Sequence, residues 1–237
     1  MMQNDPDAVA DTTATDHPTL AEELLLVLFQ PSSGTFAGEN LLFYALAGAM
    51  LADLAIEERV TATSEISMLA KVDAIADAAP DDPLLLSAWQ YVAQKPRNVQ
   101  TVLAAIGPTL RAPVLQRLID RGDLVERKRK VLGVFPSKKL SLGYTGRREA
   151  LIAGVYDVLV DGAEPTPRIA ALIALVYGAG VLSHLHREIP WNSVAITRAE
   201  ELKQGNWGAE AASQAVARTM AAMIANSFVV TTTIASR

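Results

Sequence analysis

The chain has 237 residues, of which 50% are hydrophobic and 20% are charged, and its formal net charge is −5. A chain of this length and apolar content can bury a substantial core, which excludes disorder throughout. It contains no cysteine, so disulfide scaffolds, thiolate metal sites and cysteine nucleophiles are excluded. The slightly acidic balance gives no general electrostatic reason for binding nucleic acid or an anionic membrane.

The N-terminal residues 1–17 carry four aspartates and neither lysine nor arginine. They lack the basic and apolar regions of a secretory signal peptide, so we predict a disordered acidic tail over residues 1–17 and one folded domain over residues 18–237. The two stretches that come nearest to a membrane span, 169–182 and 219–235, are too short or too polar for one. The sequence therefore indicates a cytoplasmic protein.

Helical patterns dominate the folded part. Thr19 and Glu22 form a capping-box pattern before an apolar run that ends at Phe29. The next predicted helix, residues 39–58, is apolar around most of its circumference, which is typical of a helix in the middle of a bundle. Further helices are predicted over residues 84–94, 99–106, 110–121, 146–160, 167–186, 194–204 and 209–230.

Strand patterns are few. Residues 60–63 fit a short strand, and residues 124–134 followed by 136–142 predict a β-hairpin. Gly178 and Gly180 lie inside an apolar helical pattern, so they indicate close helix packing rather than a phosphate-binding loop. Together these features predict a mainly α fold, a single-domain helical bundle with a small protruding β-hairpin.

Enzyme signatures are missing from the sequence. It contains no nucleophile elbow, Walker loop, dinucleotide fingerprint or zinc-protease motif. His184 and His186 lie near Glu188, but a spacing of two directs the imidazoles to different sides of a helix, which disfavours a metal site. We therefore predict a protein without enzymatic activity, bound metal or cofactor.

The charge is distributed very unevenly along the chain. Residues 111–148 contain eleven basic and three acidic residues, a net charge of +8, which leaves −13 for the remainder. A chain divided in this way predicts a basic face that meets an anionic partner. The residues that we expect to contact lipid phosphates are Arg111, Arg117, Arg127, Lys128, Arg129, Lys130, Lys138 and Lys139.

An apolar sequence lies in the middle of this basic segment. Val131, Leu132, Val134 and Phe135 are bracketed by lysines and arginines, which suits a hairpin tip that enters a membrane interface while the cations meet phosphates. The same residues are equally compatible with inward packing or with a contact between subunits, which would make the hairpin a self-assembly element.

A second interpretation uses the same segment. A helix over residues 110–119 followed by a basic hairpin also resembles a winged helix-turn-helix that binds nucleic acid. The helix offers few side chains that read bases, namely Arg111, Gln116 and Arg117. We therefore regard nucleic acid as the less favoured partner.

Five segments occur in an order that resembles the Golgi phosphoprotein 3 family. They are TLAEELLL at 19–26, YALAGAMLADLA at 44–55, LQRLIDRG at 115–122, LGVFP at 132–136 and RIAALIAL at 168–175. The resemblance covers residues 19–230, and the alanine-rich character is similar to that of bacterial members. It implies a mostly α-helical domain with a hydrophobic hairpin, without enzymatic activity, that binds peripherally to the inner face of a membrane.

The resemblance also implies a lipid and partners. Golgi members of the family recognise phosphatidylinositol 4-phosphate through one tryptophan and three arginines, and they act as adaptors for membrane-protein clients. In an alignment without gaps, this chain has Gly38 at the position of the tryptophan and Ala47 and Pro108 at the positions of two arginines. The third arginine is present as Arg111. The sequence therefore favours general binding of anionic phospholipid over the specific pocket.

Overall fold

A computed structural model describes residues 17–62, 71–131, 135–207 and 215–235. The side chains of residues 128–131, 135–138, 215–216 and 229–235 are not part of this description. Some of the sequence-based predictions fall outside this description. They concern the acidic tail before His17, the tip residues Leu132 and Val134, and the side chains of Lys128, Arg129, Lys130, Val131, Phe135 and Lys138.

Helices make up most of the described chain, which confirms the mainly α fold. The α-helices are α1 (Leu20–Leu28), α2 (Leu42–Ile56), α3 (Pro83–Ala93), α4 (Val99–Asp120), α5 (Arg147–Leu159), α6 (Pro167–Gly178), α7 (Ser193–Lys203) and α8 (Ala215–Ala235). A 3-10 helix covers Leu182–Leu185.

In the part of the chain that the structure describes, strands form three small antiparallel sheets. Strands β1 (Phe29–Gln30) and β2 (Thr35–Phe36) pair with each other. Strand β4 (Lys71–Ala74) lies between β3 (Val60–Ala62) and β5 (Arg97–Asn98). Strands β6 (Leu124–Val131) and β7 (Phe135–Leu142) form the hairpin. The predictions of β3 and of the hairpin are confirmed, whereas β1, β2, β4 and β5 were not predicted, because strands of two to four residues carry too little periodicity.

Helix α2 lies at the centre of the bundle, as its uniformly apolar surface predicted. It contacts α1, α3, α4, α6 and α8, and Leu46, Met50 and Leu51 are completely buried. The capping box at the start of α1 is also confirmed. Glu22 N donates to Thr19 Oγ1 (3.3 Å), and the Glu22 carboxylate accepts from Thr19 N (2.8 Å).

The prediction of two helices over residues 99–106 and 110–121 is wrong. A single 22-residue helix, α4, runs through this region with Pro108 and Pro113 in its interior. An interior proline costs a helix about 3 kcal/mol, but α4 packs closely on α2. A Cβ placed on Gly107 would lie 2.6 Å from the carbonyl oxygen of Phe43, so this close packing favours a continuous helix over a break.

The prediction of one helix over residues 167–186 is also wrong at its C-terminal end. Helix α6 ends at Gly178, and Gly180 adopts a positive φ of 71° before the 3-10 helix begins. Close packing is nevertheless confirmed at Gly178, where an added Cβ would lie 2.7 Å from Ala225 Cβ on α8. Gly178 therefore allows α8 to pack closely against α6, and Gly180 allows the chain to turn.

Candidate functional site

The hairpin grows directly out of the helical bundle. Helix α4 leads into β6, and β7 leads into α5. The ladder is regular over all eight residues of each strand, from Leu124 opposite Leu142 to Val131 opposite Phe135. Leu124 is buried at the base of the hairpin, so the apolar core fixes this end of the ladder.

A buried carboxylate fixes the return of the hairpin into α5. The Asp123 side chain is fully buried and accepts hydrogen bonds from Thr145 Oγ1 (2.6 Å) and from the Arg147 guanidinium. The Gly143 N–H donates to the Asp123 carbonyl oxygen at 2.8 Å. The carboxylate and the carbonyl oxygen of Asp123, at the start of the hairpin, thus both bind the segment that follows its second strand.

The turn between β1 and β2 supports the hairpin from a second direction. A Cβ placed on Gly34 would lie 2.7 Å from the Leu140 carbonyl oxygen. Lys139 Nζ lies 3.5 Å from the Ser32 carbonyl oxygen. The base of β7 is therefore held between this turn and the α4–α5 side of the molecule.

The register of the hairpin places cations opposite cations. Arg127 faces Lys139, and Lys128 faces Lys138. Like charges directly opposite in an antiparallel ladder destabilise it. Within the described part of the chain, no carboxylate forms an ion pair with Arg127 or Lys139. The cations of the hairpin therefore repel one another, and an anionic partner would reduce this repulsion.

Arg117, by contrast, is already engaged inside the protein. Its guanidinium lies 2.5 Å from the Asp82 carboxylate and 3.5 Å from that of Glu22, which Arg121 also contacts at 3.0 Å. Burial by itself would raise the pKa of Asp82, but the hydrogen bonds and charge of Arg117 outweigh it and lower the pKa. The same pairing raises the pKa of Arg117 against the effect of its own burial.

Arg111 has a carboxylate neighbour at the surface. Its guanidinium lies 2.5 Å from Glu39 and 5.7 Å from the centre of the Phe36 ring. Both members of the ion pair are about half exposed, so the pair is weak and an external anion can compete with it.

The positions implied by the family resemblance differ in burial and in the room around them. Ala47 is completely buried in α2. A Cβ on Gly38 would lie 2.4 Å from Val181 Cγ1, which leaves no room for a larger side chain. Pro108 is exposed on α4. Of the four positions, Arg111 alone offers a cation.

A second buried charge cluster was missed by the sequence reasoning. Asp53 on α2 accepts from Leu20 N (2.7 Å) and from Arg168 (2.6 Å), and Arg168 also lies 3.2 Å from Glu23. Burial raises the pKa values of Asp53 and Glu23, although the charge of Arg168 partly opposes it. The available signal was a lone carboxylate inside an otherwise apolar helix, which requires a buried partner.

Two further features concern metal binding and membrane spanning. Among residues 17–62, 71–131, 135–207 and 215–235, no cluster of histidine and acidic side chains has a geometry suited to a metal ion. His184 and His186 are exposed. In the same ranges, no helix combines the length and the hydropathy needed to cross a bilayer.

The chain was compared with known proteins. A family model described as Golgi phosphoprotein 3 (GPP34) matches residues 20–219. A comparison with curated proteins finds no match. The matched region includes the hairpin and the helices on either side of it.

Proposed function

Since the chain belongs to the Golgi phosphoprotein 3 family, we propose that it is a non-catalytic peripheral membrane protein that binds anionic phospholipid through its hairpin. Family membership suggests a lipid-binding role in general. The observation that carries the proposal for this chain is the register of the hairpin, in which Arg127 faces Lys139 and Lys128 faces Lys138. A lipid surface supplies the many phosphates that such a cluster requires.

The distribution of ion pairs separates the hairpin from the rest of the basic segment. Arg117, Arg121, Arg147 and Arg148 contact carboxylates within the protein. These pairs stabilise the fold and leave the hairpin, together with the weakly paired Arg111, as the source of positive charge for a partner. Each cation near an anionic surface contributes about 1 kcal/mol.

The apolar tip supplies the second part of the proposed interaction. Val131, Leu132, Val134 and Phe135 would enter the boundary between head groups and acyl chains while the flanking cations contact phosphates. The proposed head group is of the phosphoinositide type, with binding governed by charge density rather than by a specific pocket. The proposed location is the cytoplasmic side of a membrane, with membrane-protein clients as further partners. Self-association through the hairpin is the alternative use of the same residues.

The alternative of a nucleic-acid-binding winged helix receives less support. Arg117 is paired with Asp82, and Gln116 donates to Asp120 at 2.8 Å. Two of the three side chains that could read bases are thus already engaged.

Co-sedimentation with vesicles tests the proposal. Vesicles of zwitterionic lipid, of anionic lipid, and of anionic lipid with phosphatidylinositol 4-phosphate are compared at low and high salt. We expect binding to both anionic compositions that weakens with salt, because the screening length falls from about 10 Å at 0.1 M to about 3 Å at 1 M. A strong preference for the phosphoinositide would instead indicate a specific pocket.

The double substitution Val134→Asp and Phe135→Asp addresses insertion. It places two carboxylates where the tip would enter the membrane, so binding to anionic vesicles should be abolished. A matched variant with Ile75→Asp and Val194→Asp, two exposed apolar residues outside the hairpin, should bind as the wild type does. Unchanged binding of the tip variant would contradict insertion, and failure of the wild type to bind any vesicle would contradict the proposal as a whole.

A further inference from the structure

The acidic tail joins the folded domain next to the base of the hairpin. One oxygen of the Glu22 carboxylate accepts from Thr19 N at 2.8 Å, and the other accepts from Arg121 Nε at 3.0 Å. The described chain begins two residues before Thr19, at His17. Strand β6 begins three residues after Arg121. A single carboxylate therefore holds the point where the tail enters the domain beside the start of the hairpin.

The tail and the hairpin carry opposite charges. The sixteen residues before His17 contain no lysine or arginine and four aspartates, namely Asp5, Asp7, Asp11 and Asp16. Residues 124–142, which form the hairpin, contain six basic residues and one acidic residue, a net charge of +5. Complementary charges of this kind favour contact between the two segments.

The cations beside the entry point of the tail are engaged inside the protein. Arg168 donates to the Pro18 carbonyl oxygen at 2.9 Å and lies 2.6 Å from the Asp53 carboxylate. Arg117 lies 3.5 Å from the Glu22 carboxylate. An aspartate of the tail would have to displace a buried carboxylate from these cations. In the hairpin, by contrast, cations face cations across the ladder, so the tail would reduce a repulsion there.

The length of the tail matches the length of the hairpin. Each strand of the hairpin has eight residues, which corresponds to about 27 Å. Sixteen residues with the dimensions of an unfolded chain have a root-mean-square length of about 20–24 Å and a maximum reach of about 54 Å. A tether whose length matches the distance to its binding site gives a high effective concentration, in the millimolar range.

We propose that, away from a membrane, the acidic tail binds the basic hairpin of the same chain and competes with lipid phosphates for its cations. This inference rests on the proposed role of the hairpin in lipid binding. A strongly anionic surface displaces the tail, because it offers many more phosphates than the tail has carboxylates. On a weakly anionic surface the tail prevails, so it sets a threshold of surface charge for membrane binding.

Energy transfer between two dyes tests the contact in the absence of lipid. Because the chain contains no cysteine, the substitutions Ala8→Cys and Ser32→Cys create two unique labelling sites. The first lies in the tail, and the second lies in the exposed turn that contacts Lys139. We expect high transfer at low salt that falls at 1 M salt and on addition of anionic vesicles, because both weaken the attraction.

Charge variants of the labelled protein show which cations the tail contacts. Transfer should fall in Arg127→Gln/Lys139→Gln and should be unchanged in Lys95→Gln/Arg187→Gln, which removes two exposed cations outside the hairpin. Equal transfer in all of these proteins, or transfer that does not respond to salt, overturns the proposal. Transfer that rises with protein concentration also overturns it, because the tail would then contact the hairpin of a second copy.

Vesicle binding tests the competition. The variant Asp5→Asn/Asp7→Asn/Asp11→Asn/Asp16→Asn should bind vesicles of low anionic content about tenfold more tightly than the wild type. This factor is the ratio of a millimolar effective concentration to a dissociation constant of about 0.1 mM for the contact between tail and hairpin. The matched control Asp77→Asn/Asp157→Asn/Asp161→Asn/Glu164→Gln neutralises four exposed carboxylates outside both segments and should bind as the wild type does.

The outcomes separate this inference from the proposed function. If the tail variant binds anionic vesicles no more tightly than the wild type, or if both quadruple variants gain equally, the competition is overturned and lipid binding by the hairpin stands. If neither the wild type nor the tail variant binds any vesicle, lipid binding is overturned and the competition with it, even where the dyes report contact.

Discussion

Replacing Arg127 and Lys139 by glutamine tests whether the cross-strand cations of the hairpin contact lipid. The two residues face each other in the ladder, and each cation contributes about 1 kcal/mol near an anionic surface. Losing both should weaken binding to anionic vesicles by about 2 kcal/mol, or about thirtyfold. Stability should change little, because the relief of about 0.2–1 kcal/mol of repulsion between like charges in the ladder is offset by the loss of the contact between Lys139 and the Ser32 carbonyl oxygen.

The assay combines vesicle titration at low salt with thermal unfolding of the same samples. The control is Lys95→Gln/Arg187→Gln, which removes two exposed cations outside the hairpin. This variant should lose little affinity, because distant charges are screened. If both double variants lose the same affinity for anionic vesicles, a role specific to the hairpin is refuted. The same conclusion follows if the hairpin variant unfolds at a lower temperature but keeps its affinity.

Three further predictions concern single residues. Asp82→Asn preserves the N-cap of α3 but removes the charge that pairs with Arg117, so the free energy of unfolding should fall by about 1–2 kcal/mol at neutral pH. The pKa of Asp82 is lowered below 3.8 in the folded protein. The stability that the Asp82 carboxylate contributes is therefore complete above that pH and is lost as the pH falls through the folded pKa. Denaturant curves of the two proteins should converge in acid, and a constant difference between them would contradict this account. Gly178→Ala should lower stability by about 1–3 kcal/mol, because its Cβ would lie 2.7 Å from Ala225 Cβ, whereas Gly154→Ala, with 3.4 Å to Ile169, should raise the melting temperature. Glu39→Gln removes the carboxylate that pairs with Arg111, so binding to anionic vesicles should strengthen about fivefold. Glu164→Gln removes a carboxylate elsewhere and should leave this binding unchanged, and an equal gain in both variants would contradict a role of Arg111.

Local chemistry in the sequence was sufficient for several elements. Thr19 and Glu22 predicted the start of α1 because a capping box needs only residues three apart. The apolar circumference of α2 predicted its central position because a helix without a polar face must be surrounded. The hairpin was predicted from its β-rich segments, and the chain order of its cations identified the part of the molecule with excess positive charge.

Other elements depended on contacts between distant residues. Pro108 and Pro113 indicated a break, yet α4 is continuous because its face packs on α2. Gly180 was read as part of a helix that in fact ends at Gly178. Strands β4 and β5 form by pairing with segments farther away along the chain, whereas β1 and β2 pair with each other across a short turn. All four are too short for their own residues to show a pattern.

The sequence by itself determined that the protein is mainly helical, where its charge is concentrated, and which family it belongs to. It could not determine which of the eleven basic residues between positions 111 and 148 are engaged internally. The tertiary structure decided this, because the carboxylates that engage Arg117 lie 35 and 95 positions earlier in the chain, at Asp82 and Glu22. An ion pair depends on separation in space, and folding alone brings such partners within contact distance.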